Sequence, residues 1–184
     1  MACTLTQGFA LSCKDSIAGI KSIRFATHSD WVALSATIAS GEVTAIGSAS
    51  TVFYKYEVRR ETSSFNDDPQ ADQAVGGLFY KPMINMVMNK LNTAKRNEVQ
   101  LLAKNRLVAI VETAQPNDSN GDGDFWVLGN ENGLDMVSST GTSGVAAGDR
   151  NGYELAFEGM EPDPVMRINP SSGTVDTLLG TITN

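Results

Sequence analysis

Apolar and polar residues alternate along much of this chain, the mark of strands that turn one face to a core. In IAGIKSIRF, from Ile17 to Phe25, Ile20, Ser22 and Arg24 share one parity and Lys21, Ile23 and Phe25 the other, which predicts a first strand. WVALSATIA at 31–39 and EVTAIG at 42–47 read as the next two, with a turn at Ser40 and Gly41. STVFYKYEVRRE, from Ser50 to Glu61, is dense in β-branched and aromatic residues and predicts a long strand with polar ends. Its expected partner is LFYKPMINMVMNKL, from Leu78 to Leu91. Ile84, Val87, Met88 and Leu91 there also fit helical spacing, but Phe79, Met83, Val87 and Leu91 share one parity and Pro82 opposes a helix. Pro82 in turn demands a sheet edge or an irregularity. SSFNDDPQADQAVGG, between the two long strands, reads as a loop, and its length suits a segment that reaches a neighbour.

One helix is expected, AKRNEVQLLAKN, with Thr93 as its N-cap, Ala94, Leu101 and Leu102 buried, and Lys95, Arg96, Glu98 and Lys104 exposed. LVAIVET from Leu107 to Thr113 is a nearly continuous apolar strand, QPNDSNGDG a turn and DFWVLG its partner strand. NENG, from Asn130 to Gly133, leads to LDMV, the Ser/Thr/Gly stretch at 138–148 reads as loop, and GYELAFEG from Gly152 to Gly159 as a half-buried strand. After EPDP, RINPSSGTVDTLLGTITN reads as an arm ending in a short strand.

The 184 residues suit one domain, which buries roughly 70% of its unfolded surface. With 41% hydrophobic and 19% charged residues the chain is of globular type, and no apolar run approaches the ~20 residues that cross a bilayer. The start, MACTLTQGFALSCKD, lacks a basic segment followed by a long apolar one, so neither secretion by that route nor a membrane span is expected. Net charge is −7 and unevenly spread. Residues 1–106 hold 12 basic and 9 acidic side chains, a net of +3, and residues 107–184 hold 2 and 12, a net of −10. Such a chain either offers a basic and an acidic face to neighbouring copies or mixes its charge within the fold. Tight wrapping of nucleic acid is disfavoured, because phosphate binding needs a basic footprint.

Candidate chemistry is sparse. Asp118, Asn120, Asp122 and Gly123 reproduce the first half of an EF-hand loop, but the twelfth position is Gly129, where a bidentate Glu is needed, so a polar turn is the favoured reading. His28, the one histidine, lies in THSD without a nucleophile context. Cys3 and Cys13 lack metal-ligand spacing; a bridge between them stays open, with two thiols favoured. GTSG at 141–144 is ordinary loop chemistry, and Tyr54, Tyr56, Arg59 and Arg60 fit a strand with solvated ends better than a platform for single-stranded nucleic acid. No catalytic residue, no cofactor-binding residue and no metal ligand is assigned, and no enzyme activity is expected.

YKYEVRRETSSF, the acidic stretch after it, the strand ending NKL, AKRNEVQLLAKNRLVAIVE, FWVLGNENGLDM and GDRNGYELAFEGMEPDP together resemble the tail-tube (major tail) proteins of long-tailed bacteriophages, notably those infecting Bacteroidetes, over roughly residues 1–165. The resemblance implies a mainly β fold, a β-sandwich or partial barrel with one flanking α-helix. It implies a tail-tube-like β domain at 1–165 and a C-terminal arm at 166–184, with six copies per ring and rings stacked into a hollow tube. Two long hairpins per copy would line the lumen, drawn here from 50–61 and 78–91, with a ring-bridging loop at 62–77. Implied partners are further copies of the chain, tape-measure, tail-terminator and baseplate proteins, and phage DNA that passes without specific binding; no membrane and no cofactor is involved. The alternatives are another virion ring or decoration protein (tail terminator, head-tail connector, capsid decoration) or a small β-sandwich ligand-binding module.

Overall fold

The chain is mainly β in its computed structural model, which describes residues 7–10, 14, 16–47, 51–72, 74, 76–116, 123–169, 175–179 and 181–183. Among these, β1 is Ile20–Thr27, β2 Thr37–Ala39, β3 Glu42–Ala45, β4 Val52–Glu57, β5 Ser64–Asp72, β6 Gly77–Asn89, β7 Leu107–Pro116, β8 Gly123–Leu128, β9 Leu134–Thr142, β10 Gly152–Gly159, β11 Met166–Ile168 and β12 Thr181–Thr183. The helices are α1 His28–Ala33, α2 Thr93–Lys104 and α3 Val175–Leu179.

Two groups of strands share β7. Along one path the order is β12-β4-β1-β7-β8-β11-β3-β2; along the other, β9-β10-β6-β5 joins β7 through the single pair Leu107↔Leu134. The strict alternation of β7 explains the sharing. Leu107, Ala109 and Val111 face a core filled by Ile23 and Phe25 of β1, Ile84 and Met86 of β6, and Leu155 and Phe157 of β10. Val108 and Ile110 face a second core, made by Trp31, Leu34, Val43, Phe53, Phe125 and Ile168. Both faces being dry, β7 reads as an unbroken apolar run.

Several expectations from sequence need correction. WVALSATIA is not one strand: Trp31 and Leu34 are buried while Val32 is exposed, a helical spacing, and Thr27 caps α1 by accepting from the Asp30 N–H. The strand from 50–61 is shorter than expected and does not pair with 78–91; β4 lies between β1 and β12. The partner of β6 is β5, cut from the segment expected to be a loop, in an unbroken register from Ser64↔Asn85 to Asp72↔Gly77. The stretch 138–148 is strand up to Thr142. Residues 166–184, expected as an arm, supply β11 and β12, and Met166, Ile168, Val175 and Leu179 sit in the second core.

For α2 the N-cap is Asn92, whose side-chain oxygen accepts from the Lys95 N–H at 2.7 Å, with Thr93 the first helical residue. Its buried residues are Val99 and Leu102; Ala94 is exposed and Leu101 is 53% exposed. Pro82 is the expected irregularity. The β6–β10 ladder stops at Met83↔Glu158 and returns in the same register at Tyr80↔Glu161, so the missing N–H opens a short gap without shifting the pairing.

Candidate assembly surface

β9, β10, β6 and β5 form two long hairpins side by side, with strand directions alternating across all four. One face of this layer carries Ile84, Met86, Leu155 and Phe157 into the core. The other face is mostly polar: Ser64, Asn66, Asp68 and Gln70 on β5, Lys81 and Asn85 on β6, Glu154 and Glu158 on β10, Ser138, Thr140 and Thr142 on β9, interrupted by Phe79, Met83, Ala156 and the buried Val87. Alternation alone delivers this, because Ser64, Asn66 and Asp68 share a parity that Phe65, packed towards Trp126, does not. Lys81 pairs with Glu158 at 2.8 Å, so the face is acidic to neutral.

Both outer strands leave a backbone edge open. Tyr80 and Glu161 exchange both N–H···O bonds, so even-numbered residues of β6 turn their backbone groups to β10 and odd-numbered ones to β5. Carried across the ladders, Phe65, Asp67 and Ala71 of β5 and Ser139 and Gly141 of β9 point their N–H groups away from the layer. Pro69 occupies an outward position of β5, where its lack of an N–H costs no ladder bond. Strand pairing to β9 is confined to β10 apart from Leu107↔Leu134, and residues 138–142 are exposed throughout.

The hairpins point opposite ways. Beyond Tyr80, β5 and β6 pair only with each other, and this overhang leaves Leu78 57% and Phe79 40% exposed. The β9–β10 turn lies at the far end of β6, beside Asn89 and Lys90; Asp149 accepts from the N–H groups of Val145 and Ala146 and holds the turn with Val145 outward. Those two N–H groups keep the Asp149 carboxyl below its ordinary range.

Near the overhang, buried Glu161 accepts from the N–H groups of Glu131, Asn132 and Gly133 at 2.9, 3.0 and 3.2 Å, tying the NENG turn to the end of β10. Burial raises its carboxyl above the usual value, and the three donors oppose that shift. Tyr56 donates to Glu98 at 2.7 Å and meets Phe25 edge-on, anchoring α2 to β4; burial and the carboxylate partner push its phenol pKa up.

The residues singled out in sequence are scattered. His28 opens α1, donates its backbone N–H to Arg106 O and lies half-buried beside Gly133. Asp118, Asn120, Asp122, Cys3 and Cys13 lie outside the described residues, among which no group of three or more His, Cys, Asp or Glu is placed to hold a metal. No described helix is long and apolar enough to cross a membrane. The basic and acidic halves of the chain do not become two faces. They interleave through Arg24–Glu112 (3.4 Å), Lys81–Glu158 (2.8 Å), Lys21–Glu112 (3.9 Å) and Arg106–Asp135 (4.0 Å). Comparison with protein-family models, curated proteins and solved structures found no match for the chain.

Proposed function

We propose that this chain is the tail-tube subunit of a long-tailed bacteriophage, a non-enzymatic structural protein of the virion that assembles with copies of itself. The observation that carries the reading is the β9-β10-β6-β5 layer: two long hairpins, a core on one face, a polar face on the other and an open edge on each side. In a ring, β5 of one copy meets β9 of the next. Because directions alternate across the layer, that contact is antiparallel and continues the alternation round the ring. Closure satisfies edges that otherwise invite uncontrolled pairing. The lining strands are then β6, the strand expected at 78–91, together with β5, β9 and β10, while 50–61 leaves the lining.

The polar face suits a conduit. Ser, Thr, Asn and Gln hold water, Lys81 and Arg150 are tied up by Glu158 and Glu154, and Asp68 adds a carboxylate that repels phosphate, so DNA slides without being retained. Tape-measure, terminator and baseplate proteins are the partners such a tube requires. Negative-stain imaging of the purified protein over a range of concentrations tests the reading: hollow rings or rods are expected, and a monodisperse monomer at high concentration overturns it.

A further inference from the structure

Charge on this protein is sorted along the strand axis of the four-strand layer, not by halves of the sequence. At the overhang end lie Asp72 and Asp68 on β5, Glu131 in the turn held by Glu161, and Asp163 beside that turn. At the opposite end lie Lys90, whose N–H bonds Asn151, Lys95 against the Asn89 carbonyl, and Arg59, which lines one pocket with Lys95 and Asn89. Most minority charges at each end are neutralised within the copy. Lys81 and Arg106 at the acidic end pair with Glu158 and Asp135; Glu57 and Glu154 at the basic end pair with Lys55 and Arg150. Exposed Lys104, two residues before Arg106, tempers the acidic end, and Glu61 and Asp149 temper the basic end, without reversing either. Each end also presents apolar surface, Leu78 and Phe79 at one and Val145 at the other.

From this we infer that the two ends are mates: the acidic overhang of one copy docks on the basic end of a second copy stacked along the same axis. This rests on the tube reading and specifies its inter-ring contact. The occupant is another copy because both members of the pair, opposite in charge and each with exposed apolar side chains, are carried by one chain at opposite ends. A contact of that kind is head-to-tail and therefore propagates into a rod.

Carbodiimide coupling of carboxylates to lysines on the wild-type protein at low ionic strength is the direct test. Gly77, opposite Asp72, and Asn89, beside Lys90, are separated by about 40 Å at ~3.3 Å per strand residue. A zero-length link from Asp72 to Lys90 or Lys95 therefore forms only between copies. Mass spectrometry should find such links in the assembled fraction, at least tenfold enriched over the unassembled one. Charge reversal gives the second arm. D72K/E131K alone and R59E/K90E alone should each reduce rods to separate rings, and mixing the two variants should restore rods by letting reversed ends meet. Rods without the cross-links, single reversals that stack like wild type, or mixtures that fail to recover each overturn the docking and leave the tube reading standing. A wild-type protein that forms neither rings nor rods removes the tube reading and this inference with it.

Discussion

Ser139→Pro isolates the lateral contact from the fold. The Ser139 N–H points out of β9, so the substitution removes no hydrogen bond within the copy, and proline is tolerated at such an edge position. In the ring, the same N–H is one of the donors offered to β5 of the neighbour. Losing one hydrogen bond costs about 1 kcal/mol, and the proline ring pressing on the facing strand adds ~1–2 kcal/mol. Each lateral contact thus weakens by about 2–3 kcal/mol, roughly 30- to 150-fold. A ring of about six copies repeats the loss at every contact and should fail to close at any workable concentration. The assay pairs sedimentation velocity with negative-stain imaging, and thermal unfolding of the unassembled variant checks the fold. Expected are a melting temperature within a few degrees of the unassembled parent and no rings. Rings that form at the parental concentration refute the assignment of the β9 edge to the lateral contact.

Glu161→Ala leaves three backbone donors of the NENG turn without their carboxylate and should lower stability by ~3–5 kcal/mol in denaturant unfolding, with Glu161→Gln losing less. Since the folded-state pKa of Glu161 lies above its ordinary 4.5, the folded chain holds that proton longer than the unfolded one. This group's contribution to stability therefore falls as pH rises above about 4.5, and Glu161→Gln should remove that slope. Phe157→Ala empties a fully buried site 5.0 Å from the Phe25 ring, centre to centre, and should cost ~3–5 kcal/mol in the same measurement. Asn92→Ala removes the α2 cap and should cost about 1 kcal/mol, visible as faster amide exchange in the first turn of the helix.

Legibility followed the strength of local pattern. β10 matches its expected bounds and β7 its core, because clean alternation or an unbroken apolar run needs no partner to be recognised. β5 was hidden: SFNDDPQAD is full of turn formers, and what makes it a strand is the long register with β6 together with Phe65 packed near Trp126. α1 was masked by β-branched residues, although Thr27 and Asp30 in THSD already spell a helix start. Of the proposed lining layer, β6 and β10 were legible at 78–91 and 152–159, whereas the outer half of β9 was missed for the same reason as β5, since a strand facing water and running past the core shows little hydrophobic signal. Two-stranded pairing could be guessed for β9 and β10 from their shared turn, whereas the β6–β10 contact joins residues too distant for any local pattern to report.

The parallel pairing of β12 with β4 sets a schedule for the nascent protein. Val52–Glu57 leaves the ribosome early, but the strand that covers its outer edge is built from Thr181–Thr183. At ~5–20 residues per second that delay is roughly 6–25 s. Throughout it β4 has a bare flank, and a polysome carries many such flanks close together. Protection during that interval must come from outside the sheet, through a chaperone or through dilution, and a truncation that removes the last strand should make this delay permanent and send the product into aggregates.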